Sequence, residues 1–107
     1  MRTGSKMIDN IKTPIGNVEV KQYEKIIDPD KPEKTCQGLF QSGKDFHIIV
    51  QSTLQHDLKR QTLLHEILHA FEVNMGYDLT EKQIDSIATQ LYYFMKNNPE
   101  VVEWIQK

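Results

Sequence analysis

The sequence predicts an α+β fold: a small N-terminal antiparallel or mixed sheet of about three strands, a long helix packed on it, an antiparallel second helix and a short C-terminal helix. Three observations predict it. In the first half, Val18 and Val20 alternate with Glu19 and Lys21, and Phe46-His47-Ile48-Ile49-Val50-Gln51 is rich in aromatic and β-branched residues, both signals of short strands. From Leu58 onward the apolar residues recur three and four apart, the period of a helix face. Gly76 and Pro99 then divide that second half into three helices. A chain of 107 residues that is 38% apolar is enough for one core, so residues 1–107 are read as a single domain.

Residues 1–7 have little structural character and read as a disordered tail or an engineered remnant, with Met7 as an alternative start. A short strand is placed around Val18–Gln22. Residues 28 to 37, with two prolines and several charges, read as a long solvated loop. A second short strand covers Leu39 to Gln41 and ends at Ser42-Gly43-Lys44-Asp45. The clearest strand is Phe46–Gln51, with Phe46, Ile48 and Val50 toward the core and His47, Ile49 and Gln51 away from it.

The first helix runs from Asp57 or Leu58 to Met75, with Gly76 as its stop. Thr80 caps the second, Gln83 completes a capping box, and Leu79 with Ile84 forms the accompanying staple. That helix continues to about Lys96. Asn98 caps a third helix with Pro99 at its first position. Val101, Val102, Trp104 and Ile105 are expected to pack it onto the body. The short linker between the first two helices makes them antiparallel.

Composition excludes several classes. Thirteen Lys plus Arg against fifteen Asp plus Glu leave a net charge of −2, which gives no electrostatic reason to expect a nucleic-acid partner. No apolar run approaches the roughly 20 residues of a membrane span, and the N-terminus has no apolar signal region. The lone cysteine, Cys36, cannot form an internal disulfide, and no partner motif marks it as reactive. These features are those of a soluble, cytoplasmic protein.

The chemistry lies in Thr62-Leu63-Leu64-His65-Glu66-Ile67-Leu68-His69-Ala70. Histidines four apart share one helix face, one turn apart, so their imidazoles can converge on one zinc ion at roughly 2.0–2.1 Å each. Glu66 is rotated about 100° from His65 and points beside the metal, where a general base for a zinc-bound water belongs. Leu64, Leu68, Phe71 and Met75 form one apolar flank, and Leu63, Ile67 and Ala70 another. A helix apolar on both flanks is largely buried, so its polar trio sits in an internal cleft that a metal can satisfy.

The segment His65-Glu66-x-x-His69, with the strand before it and the acidic helix after it, resembles the zincin metallopeptidases. It is most similar to small ImmA/IrrE-type and phage-encoded zincin-like proteins, over about residues 46 to 99. The resemblance implies a small sheet, an active-site helix and a following helix with an acidic third ligand. It also implies that the strand Phe46–Gln51 borders the cleft and pairs with an extended peptide. The chain is shorter than such peptidases, lacks the third histidine of the metzincin motif, and lacks the longer subdomains that build specificity pockets.

A catalytic zinc takes three protein ligands and keeps one position open. Glu81 and Asp85, one turn apart on the second helix, are the candidates for the third. The pattern Glu81-x-x-x-Asp85 resembles the thermolysin-like arrangement, with Glu on the metal and Asp orienting a histidine. Axial position argues the other way. The histidines lie roughly 10–16 Å before Gly76 along their helix, so an antiparallel partner must climb before it is level with them, and Asp85 is a turn higher than Glu81. Asp85 is thus placed ahead, with Glu81 close behind. Either acid can equally be complementing its helix N-terminus. Tyr92 and Tyr93 are candidates for polarising a carbonyl, and His47 and His56 are further nitrogen donors. Glu72 reads as an intrahelical ion-pairing group without chemistry.

The function expected is a zinc-dependent peptidase acting on a peptide or protein, with Glu66 as the base. A non-catalytic zinc-binding module of the same fold that binds a protein partner is the alternative. A helical interaction protein without metal is a third.

Overall fold

The computed structural model describes residues 8–43 and 45–107. The tail assigned to residues 1–7, and Lys44 in the turn before Asp45, lie outside the described residues. The fold is α+β, with four strands and three helices in the order β1 (Asn10–Thr13), β2 (Gly16–Tyr23), β3 (Gly38–Gln41), β4 (His47–Gln51), α1 (His56–Met75), α2 (Glu81–Asn97) and α3 (Pro99–Gln106).

One strand more than expected is present, because β1 holds a single apolar residue, Ile11, and so has no alternation to read. It exists by virtue of its turn. Gly16 takes φ 109°, a value that favours glycine. The Thr13 hydroxyl donates to the Gly16 carbonyl at 2.8 Å and accepts from the Ile15 amide at 3.3 Å. Such side-chain bonds close a turn locally.

The sheet is mixed, with strand order β1-β2-β4-β3. β1 pairs β2 and β3 pairs β4 antiparallel, while β2 and β4 run parallel in the register Val20↔Ile48 and Gln22↔Val50. Both edges of β4 are therefore paired. An extended peptide cannot add to it, which corrects the expectation for Phe46–Gln51; the edge strand on that side is β3. Ile48 and Val50 join Val18 and Val20 in the core beneath α1, with Phe40 and Phe46 packed against them, their rings stacked 5.9 Å apart. Ile49, on the opposite face, is buried too, so the centre of that face is covered rather than solvated.

The two apolar flanks of α1 serve two cores. Leu63 and Ile67 pack onto the sheet cluster; Leu68, with Leu64 and Phe71, packs onto Ile84 and Ala88 of α2. The helix ends where expected, at Gly76 with φ 80°, whose amide donates to the Glu72 carbonyl at 2.9 Å. The capping box at Thr80 is complete: the Gln83 amide donates to the Thr80 hydroxyl at 3.1 Å and the Thr80 amide to Gln83 Oε1 at 2.9 Å. Leu79 packs on the cluster that buries Ile84. The antiparallel arrangement of α1 and α2 is visible at both ends. Asp57 at the start of α1 meets Tyr92 and Lys96, and His69 further along meets Glu81.

The third helix departs from expectation in two ways. The Asn98 side chain does not cap it; its amide donates back to the Phe94 carbonyl at 2.8 Å and finishes α2 instead. Val101 and Val102 are half-buried, but Trp104 and Ile105 are 74% and 66% exposed. Eight residues give two turns, too short a helix to turn both ends of its apolar stripe onto the body. No helix among the described residues is long and apolar enough to cross a membrane.

Candidate metal centre

His65 and His69 stand one turn apart on α1, their rings edge-on with centroids 5.1 Å apart. One donor atom from each, with a carboxylate oxygen of Glu66, falls within a 4.8 Å group. The backbone requirement is met because α1 is regular throughout this stretch, so the i, i+4 spacing acts as it does in any helix.

Around each imidazole the carboxylates are arranged by nitrogen. Glu81 Oε2 is 3.1 Å from His65 Nε2 and Glu81 Oε1 is 3.1 Å from His69 Nε2. On the other side, Asp85 Oδ1 is 2.7 Å from His65 Nδ1 and Glu72 Oε1 is 2.5 Å from His69 Nδ1. Glu72 Oε2 also accepts from the Leu79 amide at 2.6 Å. Both acids weighed for the third position thus reach the histidines, but in different places: Glu81 spans the two Nε2 atoms and Asp85 lies behind His65.

Glu81 already reaches both histidines, so axial position does not place Asp85 ahead of it. The Leu79 amide is already beside Glu72, so the linker has risen along α1 before α2 begins, and Glu81 starts level with His69.

Glu66 is 5% exposed. Its Oε2 lies 3.9 Å from His65 Nε2. Burial pushes its carboxyl up to about 7, against the opposing pull of His65 and His69. A group poised there can both take and return a proton near neutrality.

A glycine that the sequence did not single out shapes this pocket. A Cβ on Gly38 would stand 2.6 Å from Thr62 Cγ2 and 3.0 Å from Glu66 Oε2. Only a residue without a side chain lets β3 approach α1 at Glu66. The cleft beyond, about 280 Å³, is lined by Cys36, Gly38, Leu58, Thr62 and Thr89 together with His65, Glu66, Glu81 and Asp85. Burial and then the charges of Asp28 and Glu66 push the Cys36 thiol up, so it stays protonated and is a poor nucleophile.

The remaining candidates lie elsewhere. His47 Nδ1 is 3.1 Å from Glu19, its cross-strand neighbour, and His56 Nδ1 is 2.8 Å from Arg60. Tyr92 donates to Asp57 at 2.5 Å, and Tyr93 is 71% exposed. None of the four lines the cleft. Glu72 was legible only as an i+3 neighbour of His69; its second contact depends on how the linker folds.

The donor set suits a divalent zinc ion: two imidazole nitrogens and carboxylate oxygens. On each ring both nitrogens face a carboxylate oxygen, Nδ1 that of Asp85 or Glu72 and Nε2 that of Glu81. A neutral imidazole has one proton for the two, so one carboxylate on each ring would face a lone pair, a contact that a cation between Nε2 and Glu81 would relieve when the proton is on Nδ1. Compared with protein-family models, with curated proteins and with solved structures, the chain finds no match.

Proposed function

We propose that this chain is a zinc-dependent metallopeptidase of the zincin kind, holding one zinc ion through His65, His69 and Glu81. The observation that carries this reading is the pair of Nε2 atoms and the Glu81 carboxylate all turned to one place, with buried Glu66 beside them. When bound there, zinc acidifies a water and polarises a carbonyl.

The chain's own residues then do the following. Asp85 and Glu72 hold the two rings by Nδ1 and leave Nε2 free to ligate. Glu66 accepts a proton from the attacking water at its carboxylate, then passes it to the amine as the peptide bond breaks. Gly38 keeps the wall at Glu66 thin enough for an extended substrate to approach. β3 is the edge strand, and the Gln51 amide donates to the Gln37 carbonyl. By the alternation of an antiparallel ladder, the peptide groups of Gly38 and Phe40 point off that edge, where a peptide strand can add. The cytoplasmic setting belongs to this proposal as well.

Elemental analysis and a cleavage assay on a mixture of unstructured peptides test it. Protein purified without added metal should carry one zinc, His65→Ala and His69→Ala should carry none, and Glu66→Gln should keep zinc but cut no peptide. Full zinc in both histidine variants defeats the metal site. Unchanged cleavage by Glu66→Gln defeats the mechanism. A second reading, a zinc-containing module that binds a protein partner without catalysis, is favoured by the exposed Trp104 and Ile105; zinc without cleavage by the wild type would select it.

A further inference from the structure

Glu72 makes three contacts whose partners are parts of one device. Its main-chain carbonyl accepts from the Gly76 amide at 2.9 Å, and its side chain accepts from the Leu79 amide at 2.6 Å. Both ends of the α1–α2 linker are therefore fastened to this one residue. Its other carboxylate oxygen is on His69 Nδ1 at 2.5 Å. Its side chain is only 10% exposed, against 71% for Asp85 on the other histidine. Nor does helix stability account for an acid here. Glu72 lies within a turn of the C-terminus of α1, which has no basic residue in its last turn, and a negative charge at that end opposes the helix dipole.

We infer that Glu72 is a positioning residue that couples the α1–α2 linker to zinc affinity, an inference that rests on the metal site proposed above. One oxygen fixes His69 in the tautomer that leaves Nε2 free. The other holds Leu79, two residues before Glu81, and so sets where the third ligand stands. Ligand orientation and ligand delivery depend on the same carboxylate. This predicts a specific failure for Glu72→Gln. A carboxamide has one accepting oxygen and one donating nitrogen, whereas Glu72 faces two donors, His69 Nδ1–H and the Leu79 N–H. Whichever way the amide turns, one of them meets an NH2. Either His69 moves its proton to Nε2 and cannot ligate, or the linker is released and Glu81 shifts.

The test is competition for zinc against a chelator at one pH, with Asp85→Asn alongside. Glu72→Gln should bind zinc about 10–100-fold more weakly than wild type, the usual cost of losing a group that orients a metal ligand, and more weakly than Asp85→Asn. In wild-type protein, nitrogen shifts of the metal-free form should show His69 protonated at Nδ1, and zinc should slow hydrogen exchange at the Leu79 amide; in the variant one of these two signatures should be lost. A purely structural role would lower the melting temperature of the metal-free variant and leave the zinc affinity of its folded form unchanged, and that result overturns the inference while leaving the metal site standing. Wild-type protein that binds no zinc overturns both. If the variant does not fold, the wild-type measurements decide: His69 protonated at Nε2, or a Leu79 amide indifferent to zinc, refutes the coupling.

Discussion

His65 and His69 offer the same nitrogen to the same place, and the acid that meets both is Glu81. Glu81→Ala is therefore expected to weaken zinc binding more than Asp85→Ala, which removes only a contact behind His65 and should cost about 10–100-fold; chelator competition on the two variants ranks them, and the reverse order would restore Asp85 as ligand. Glu66 makes stability depend on pH. Burial raises its carboxyl to about 7, so the folded, metal-free protein binds a proton that the unfolded chain has already released above about pH 4.3. Its contribution is fully present below that value and is lost as pH rises through 7. Glu66→Gln carries no such penalty. In chelator its stability relative to wild type should grow between pH 5 and 8, by about 1–3 kcal/mol, measured by urea unfolding; a difference independent of pH would show that Glu66 titrates normally. The motif residues were legible because helical spacing alone brings them together. Glu81 against Asp85 was not, since it turns on the path of the five linker residues 76–80.

At the scale of elements, β3 and α1 meet at Gly38, which no periodicity marks. Gly38→Ala should destabilise the protein by about 1–3 kcal/mol, the range for forcing an extra carbon into a packed site, and should disturb Glu66. The nearest obstacle is the Thr62 methyl at 2.6 Å. Adding Thr62→Ser removes that methyl and should return part of the loss. Denaturation of the single and double variants measures the coupling, and strictly additive effects would mean that the two side chains do not compete for that space. Helix boundaries, the Gly76 stop and the Thr80 box were readable from local chemistry. The pairing of β4 on both sides was not, because strand order depends on residues far apart in the chain. Nor was the Asn98 side chain's turn back to Phe94, a choice between two helices that it could serve equally.

At the scale of the molecule, α1 is the wall shared by two small cores, one with the sheet and one with α2, and the histidines face the seam on the α2 side. A metal held from both helices ties the second core to the first. Zinc should raise the melting temperature in proportion to the logarithm of its free concentration above Kd, worth about 2.7 kcal/mol at a hundredfold excess. Calorimetry across a zinc titration measures it, and a melting temperature indifferent to zinc would show that no ion bridges α1 and α2. Fold class was legible because each half has its own period; the division into two cores could be anticipated from the two apolar flanks of α1, though not which neighbour each flank would meet.

The parallel junction of β2 with β4 bears on how quickly this molecule can assemble. β1–β2 and β3–β4 are each local hairpins, of the sort that close in about 1–10 μs. Joining them side by side brings Tyr23 to Gln51 across the entire intervening chain, and such distant contacts slow folding. Until they meet, Val18, Val20, Ile48 and Val50 have nothing to cover them, and the floor on which α1 rests does not exist. Docking of the two hairpins should therefore be the rate-limiting event. Val20→Ala and Ile48→Ala are expected to slow refolding, whereas Ile84→Ala, in the later core with α2, should mainly hasten unfolding. Stopped-flow chevrons on the three variants would reveal the order, and a slowed refolding limb for Ile84→Ala alone would reverse it. On this account the face that carries His65 and His69 is the last part of the chain to acquire its shape, and the proposed zinc site does not exist in newly made protein until its two hairpins have found each other.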